Sequence, residues 1–245
     1  MNIVVFDIET TELAPKGVLE ERDLCVLDIS VAAAFDYKTG EYSIYMKDNI
    51  HLLWHRMVGA DLITGFNITG FDLPIMHCVM EDRIVSGGGN DPELKALNLD
   101  YEKIKAKTYD LYFEAKAGAG AGKFDRGYNC DGILRSTWGA HMAKTGNGKE
   151  APQLWEDGKL GELASYCMAD VHRERLIFER CWTAGRLRSL GYKEGKEDFQ
   201  VEHPQVRLDI EAALPHRLEG DLDAPAEPGA AYVAPDPVAK ASDDI

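Results

Sequence analysis

The chain has 245 residues, 45% of them hydrophobic, and a formal net charge of −15. That length suits one large domain or two small ones, and no apolar run is long enough to cross a membrane. Such acidity by itself argues against tight nucleic-acid binding, because polyanions are gripped by basic surfaces. The opening MNIVVFDIET carries two acids and no basic lead-in, so it does not read as a signal peptide. Cys25, Cys78, Cys130, Cys167 and Cys181 are scattered, without metal-ligand spacing, and read as reduced, mostly core thiols of a cytoplasmic protein.

In chain order, NIVVFDIE is a short apolar run followed by turn residues, which predicts a buried central strand. LCVLDISVAAAF and EYSIYMK flank DYKTG and predict a hairpin. LLWHRMVG reads as a short helix and ADLITGFN as a strand. DLPIMHCVMEDR predicts a helix with Pro74 in its first turn, where proline is tolerated. GGGNDP reads as a loop, and KTYDLYFEAK as a short strand running into a helix. GAGAGKFDRG reads as flexible, CDGILRSTWG as a helix, and KTGNGKEAPQ as a polar loop. GKLGELASYCMADVHRERLIFERCWTAGRL predicts the longest helix, and LGYKEGKEDFQVEHPQVRLDIE peripheral strands. Residues 219–245 are rich in Pro, Ala and Asp and read as a disordered acidic tail after a domain spanning 1–218. Strands first, then alternating helices and strands, predict an α/β layer fold with a mixed sheet.

Four acids stand out. Alternate residues of a strand share a face, so Asp7 and Glu9 point together while Phe6 and Ile8 point away. Two carboxylates side by side repel, and a hard divalent cation relieves that repulsion through oxygen ligands. Asp72 stands just before a helix, where it can also serve as an N-cap. Asn67 and Phe71, in the turn before it, suit either strand contacts or turn chemistry and core filling. Tyr166 and Asp170 are four apart on one helix face, and Asp170 shares a stripe with Leu163, Ile177 and Cys181. A carboxylate on such a stripe is costly unless it is paired or bound, and a buried ion pair is one answer. Glu174, near the same stripe, reads as the partner of Arg173, Arg175 or another arginine.

The order Asp-x-Glu on a first strand, Asn-x-x-x-Phe-Asp in a turn, and Tyr-x-x-x-Asp on a late helix resembles the DEDD exonucleases. The tyrosine places it with their tyrosine-bearing branch; Ser165 stands where the other branch would carry histidine. The resemblance covers about residues 1–185 and is nearest to stand-alone, DnaQ-like enzymes related to the proofreading domain of family-B DNA polymerases. YNCDGILRSTWG and APQLWEDGKLGELASYCMADV share that likeness.

The resemblance implies a ribonuclease H-like fold, with a mixed central sheet flanked by helices. It implies 3′→5′ hydrolysis of single-stranded DNA by two divalent cations, Mg²⁺ or Mn²⁺, with release of nucleoside monophosphates. Asp7, Glu9, Asp72 and Asp170 would be the metal ligands, and Tyr166 would orient the attacking water. Thr10, Asn67 and Phe71 would contact the strand, and Lys144 or Lys149 would meet the phosphate. A polymerase, helicase or single-strand-binding protein is the expected partner that delivers the 3′ end to so acidic a chain. RNA trimming and a degenerate nucleic-acid-binding module are the alternatives. One departure concerns Glu12, which stands where the family often has glycine.

Overall fold

β1 (Ile3–Thr10), β2 (Ile29–Asp36), β3 (Glu41–Met46), β4 (Leu62–Gly65) and β5 (Thr108–Asp110) form one sheet in the order β3-β2-β1-β4-β5. This computed structural model describes residues 1–14, 21–87, 91–122, 127–142, 148–189 and 197–200. β2 is antiparallel to both β1 and β3, whereas β4 is parallel to β1 and β5 to β4. The helices are α1 (Glu21–Leu24), α2 (Ile50–Gly59), α3 (Asp72–Ser86), α4 (Asp91–Ala106), α5 (Leu111–Gly118), α6 (Cys130–Trp138), α7 (Ala151–Glu156) and α8 (Leu160–Ala184). β6 (Arg186–Ser189) and β7 (Glu197–Gln200) make a separate antiparallel pair. The mixed α/β expectation holds, and the arrangement is compatible with a ribonuclease H-like fold.

The alternation in β1 divides two cores. Ile3 and Val5 join Val31, Ala33 and Phe35 of β2 against Leu163, Cys167, Val171 and Phe178 of α8. Val4, Phe6 and Ile8 face the other way, onto Leu53 and Trp54 of α2, Leu73 and Met76 of α3, and Tyr101 and Ile104 of α4. Asp7 and Glu9 have the parity of Ile3 and Val5, so they face α8. The parallel pairing of β1 with β4 ends at Val5 and Thr64, while the pairing with β2 runs on to Thr10. On the β4 side the second half of β1 therefore runs on without a paired strand, at the carboxyl ends of parallel strands, where open α/β sheets bind ligands.

α8 is anchored through a buried polar network. Arg175 donates to Glu179 Oε1 at 3.2 Å and to the Tyr42 hydroxyl at 2.8 Å. Tyr37 donates to the same Glu179 oxygen at 2.6 Å, and the guanidinium lies 3.4 Å from the centre of the Phe35 ring. The Tyr42 hydroxyl lies 2.8 Å from His172 Nδ1. Burial, then Arg175 and Arg173, lowers the His172 pKa to about 4, so its ring is neutral. Gly185, left-handed at φ 61°, ends α8 by donating to Cys181 O at 3.1 Å.

Three expectations differ. GGGNDP is not all loop: its Asp91 and Pro92 open α4, a polar helix that buries a sparse stripe including Leu97, Tyr101 and Ile104. APQ does not continue the preceding loop but opens α7, with Pro152 at its tolerated first turn. Cys25 and Cys78 are joined in a disulfide, so not all the thiols are reduced; Cys130, Cys167 and Cys181 are free and buried. The bond links residues 53 apart, which only the folded chain brings together. The acidic tail 219–245 lies outside the described residues.

Candidate metal centre and active site

β1 and α8 meet where their acids meet. Ligand oxygens of Asp7, Glu9 and Asp170 lie within 4.8 Å of one another. Asp170 is 3% exposed, and its stripe-mates Leu163, Ile177 and Cys181 are fully packed. The Asp7 carboxyl is held well above the usual carboxylate range, first by burial and then by the charges of Glu174, Glu9, Asp72 and Asp170. Such a donor set, all oxygen and mutually repelling, fits hard divalent cations, which would neutralise the crowding.

Asp72 enters from the side. It is the first residue of α3 rather than its cap, which is Phe71. Its Oδ1 accepts the Ile8 amide at 3.1 Å, between Asp7 and Glu9. That amide lies beyond the last parallel pair with β4, and the aspartate occupies the position the missing strand would have filled. Asp72 thus belongs to the same electrostatic group as Asp7, one step outside the three converging carboxylates.

Asp170 has a second partner. Arg173 donates to its Oδ1 at 2.8 Å, and both side chains are 4% exposed. The ion pair and the acidic cluster therefore coexist: the guanidinium fixes one carboxylate of the set. Among the charged neighbours of Asp7, Glu174 raises its pKa most. It is a fifth acid at the site, buried to 3% and one turn after Asp170. A Cβ on Gly65 would sit 3.3 Å from Glu174 Oε2 and 2.6 Å from the Phe6 carbonyl. Glycine is required at the end of β4 for that close approach.

Cys167, read from sequence as a core thiol, holds the nucleus of the site. Its Sγ donates to the Asp7 carbonyl at 3.4 Å and lies 3.8 Å from Asp7 Oδ2. Burial, then Asp7, pushes the thiol pKa well up, so it stays protonated as a donor. The signal was its position one residue after Tyr166, on the inward face of α8.

Tyr166 is half-buried one turn before Asp170, and its hydroxyl lies 3.7 Å from where a Cβ on Gly148 would be. The exposed Lys149 is next in the chain, so its segment runs beside that hydroxyl. Lys144 lies outside the described residues. Thr10 is buried after a bulge in the β1–β2 ladder, and its hydroxyl donates to Glu12 O at 2.6 Å. The Glu12 side chain is exposed. Asn67 adopts φ 65°, which asparagine tolerates, and its amide donates to Asp110 Oδ1 at 2.9 Å. Phe71 is half-buried against the α2–α4 core. Asn67 thus performs the turn chemistry and Phe71 the core filling that their sequence positions allowed.

Sequence reasoning missed Asp110. Its carboxylate also accepts the Thr69 amide at 2.8 Å, the Thr69 hydroxyl at 2.6 Å and the Tyr112 amide at 3.0 Å. One side chain at the end of β5 thus caps α5 and fixes the β4–α3 loop that leads to Asp72.

No protein-family profile and no curated protein matches the chain. Among solved structures, it is similar to the family B DNA polymerase from the hyperthermophilic archaeon Pyrobaculum calidifontis. The identity is 17% and the TM-score 0.49, over 72% of this chain and 25% of the polymerase. The chain thus spans about a quarter of that protein's length.

Proposed function

We propose that the chain is a metal-dependent 3′→5′ exonuclease of the tyrosine-bearing DEDD type, acting on single-stranded DNA. The observation that carries this reading is the convergence of Asp7, Glu9 and Asp170 within 4.8 Å around a half-buried, charge-crowded aspartate. Those three would hold divalent cations, with Asp72 completing the set from α3. Bound cations lower the pKa of water and neutralise charge on a phosphate. Tyr166 orients the attacking water from one turn before Asp170. Water adds to the terminal phosphorus, the bond to the preceding 3′ oxygen breaks, and a nucleoside monophosphate leaves. Thr10, Asn67 and Phe71 line the strand's approach, and Lys149 meets the phosphate beside Tyr166. Arg173 and Cys167 keep Asp170 and Asp7 in position.

The acidity of the chain limits its own grip on a polyanion, so a polymerase, helicase or single-strand-binding partner delivers the end. A cytoplasmic setting rests on the free thiols Cys130, Cys167 and Cys181, and the Cys25–Cys78 bond weighs against it. The test is a 5′-labelled DNA strand, and the matching RNA strand, incubated with Mn²⁺ or with EDTA. A ladder shortening from the 3′ end of DNA, only with metal, is expected. Cleavage that persists in EDTA, or that starts at the 5′ end, would contradict the reading.

A further inference from the structure

The Cys25–Cys78 bond joins an accessible sulfur to the frame of the acidic site. Cys25 follows α1 and is exposed, whereas Cys78, inside α3, is 8% exposed. A cleft of about 340 Å³ opens on the Cys25 side, lined also by Val79 and Ser86 of α3. That volume admits a small thiol. Cys130, Cys167 and Cys181 are buried, so thiols in solution gain access to sulfur at Cys25. Exposed disulfides are the labile ones, and those of reducing compartments are transient and redox-sensing.

The bond closes a circuit of contacts that passes through the site. Two residues beyond Glu9, the Thr11 amide donates to Asp28 O at 2.9 Å and the Thr11 hydroxyl to the same oxygen at 3.4 Å. The Ser30 hydroxyl donates to Glu9 O at 3.0 Å. Asp28 follows the turn that carries Cys25, where the Leu27 amide donates to Leu24 O at 3.0 Å. On the other arm, Asp72 accepts the Ile8 amide and lies six residues before Cys78 on the same helix. The circuit runs from Glu9 through Thr11, Asp28 and Cys25 to Cys78, then along α3 to Asp72 and back to Ile8. A parallel link is exposed: Arg83 of α3 donates to the carbonyls of Lys47 and Asp48, and Lys47 pairs with Asp28. Exposed ion pairs contribute little, so the covalent bond is the firm tie between the arms. Leu24 and Leu27 are buried on their own account, so opening the bond loosens the turn without unfolding it.

We propose that Cys25–Cys78 is a reversible thiol-exchange site, a latch that holds Asp72 against Glu9 when oxidised and weakens divalent-cation binding by the acidic cluster when reduced. The reagent is a low-molecular-weight thiol of the glutathione class. Its thiolate attacks Cys25 Sγ, the bond to Cys78 breaks, and the Cys78 sulfur leaves as a thiolate that takes up a proton. A second thiolate attacks the small molecule's sulfur in the mixed disulfide and releases Cys25 as a thiol. Two small thiols are thus oxidised to one disulfide while the protein bond is reduced to two thiols; the small disulfide reverses the sequence. The proposal rests on the metal-dependent reading for its effect on cations, but not for the coupling between bond and Thr11.

The test equilibrates the full chain with reduced and oxidised glutathione at fixed ratios, alkylates the thiols and maps them by mass spectrometry. Cys25 and Cys78 should gain and lose label together and reversibly, while Cys167 and Cys181 stay unlabelled. Each form, freed of glutathione, is then followed by hydrogen exchange at the Thr11 amide and by calorimetric titration with Mn²⁺. Reduction should speed exchange at Thr11 and weaken Mn²⁺ binding roughly tenfold, as for loss of an outer support of a metal ligand. Reoxidation should restore both. Cys25→Ser should match the reduced wild type and ignore glutathione. A bond that oxidised glutathione cannot form overturns the proposal. So does a bond whose opening leaves Thr11 exchange and Mn²⁺ affinity unchanged; if both forms then cut DNA alike with Mn²⁺, the exonuclease reading still stands. If neither form binds Mn²⁺ or cuts while Thr11 exchange follows the redox state, the metal-dependent reading fails and the coupling of bond to β1 stands.

Discussion

At the scale of single residues, the site is a problem of charge. Asp7 has a folded pKa raised above its unfolded value, so its contribution favours folding below about pH 4 and is lost as pH rises through the raised value. Metal-free protein should therefore lose thermal stability from this group as pH rises above about 4, and Mn²⁺ should restore it; scanning calorimetry with and without metal checks both. Protons and cations compete for the same carboxyl, so Mn²⁺ affinity should fall as pH falls. Glu174 is the strongest charged neighbour of Asp7, and Glu174→Gln should move the pH midpoint of Mn²⁺ binding down. An unmoved midpoint in isothermal titrations would show that Glu174 does not act on the cluster. Asp7, Glu9 and Asp170 were legible because strand parity and helix spacing are local rules. Asp110 and Cys167 were not, since each acts on a segment tens of residues away or more: Asp110 on the Asn67–Thr69 turn, Cys167 on Asp7.

At the scale of elements, α8 carries half the site and its docking decides the rest. Arg175 is the hub that holds α8 to β2 and β3 through Glu179, Tyr42 and Phe35. Arg175→Met takes the arginine from a buried Glu179, which keeps the Tyr37 hydroxyl, and should cost about 3 kcal/mol, measured by urea denaturation. Tyr42→Phe, which removes one hydroxyl from the network, should cost about 1 kcal/mol. Gly65→Ala places a methyl 2.6 Å from the Phe6 carbonyl, so it should lower both Tm and Mn²⁺ affinity by forcing β4 away from β1. The sequence periodicity was strong enough to read β1, the β2–β3 hairpin, α3 and α8. α4 escaped because its buried side chains, Leu97, Tyr101 and Ile104, are few among charged ones. α7 escaped because its proline and the glycines before it look like a loop until Ala151 is buried.

At the scale of the whole molecule, the charge of −15 sets how the chain meets a polyanion. Hydrolysis by the isolated chain should fall steeply as salt is raised, and the chain should release its strand after few cuts. A single-turnover assay against a trap strand measures this; long uninterrupted runs at physiological salt would contradict it. Sheet order and the Cys25–Cys78 bond were not legible in sequence, because both depend on which distant segments pack together. Whether cations held by β1 and α8 perform the chemistry is decided by Asp7→Ala and Asp170→Ala, assayed in parallel for Mn²⁺ binding by calorimetry and for shortening of a 5′-labelled DNA strand, with circular dichroism confirming the fold. We expect both variants to lose metal binding and hydrolysis together while remaining folded. Full hydrolysis by folded Asp7→Ala protein would contradict the metal centre described here.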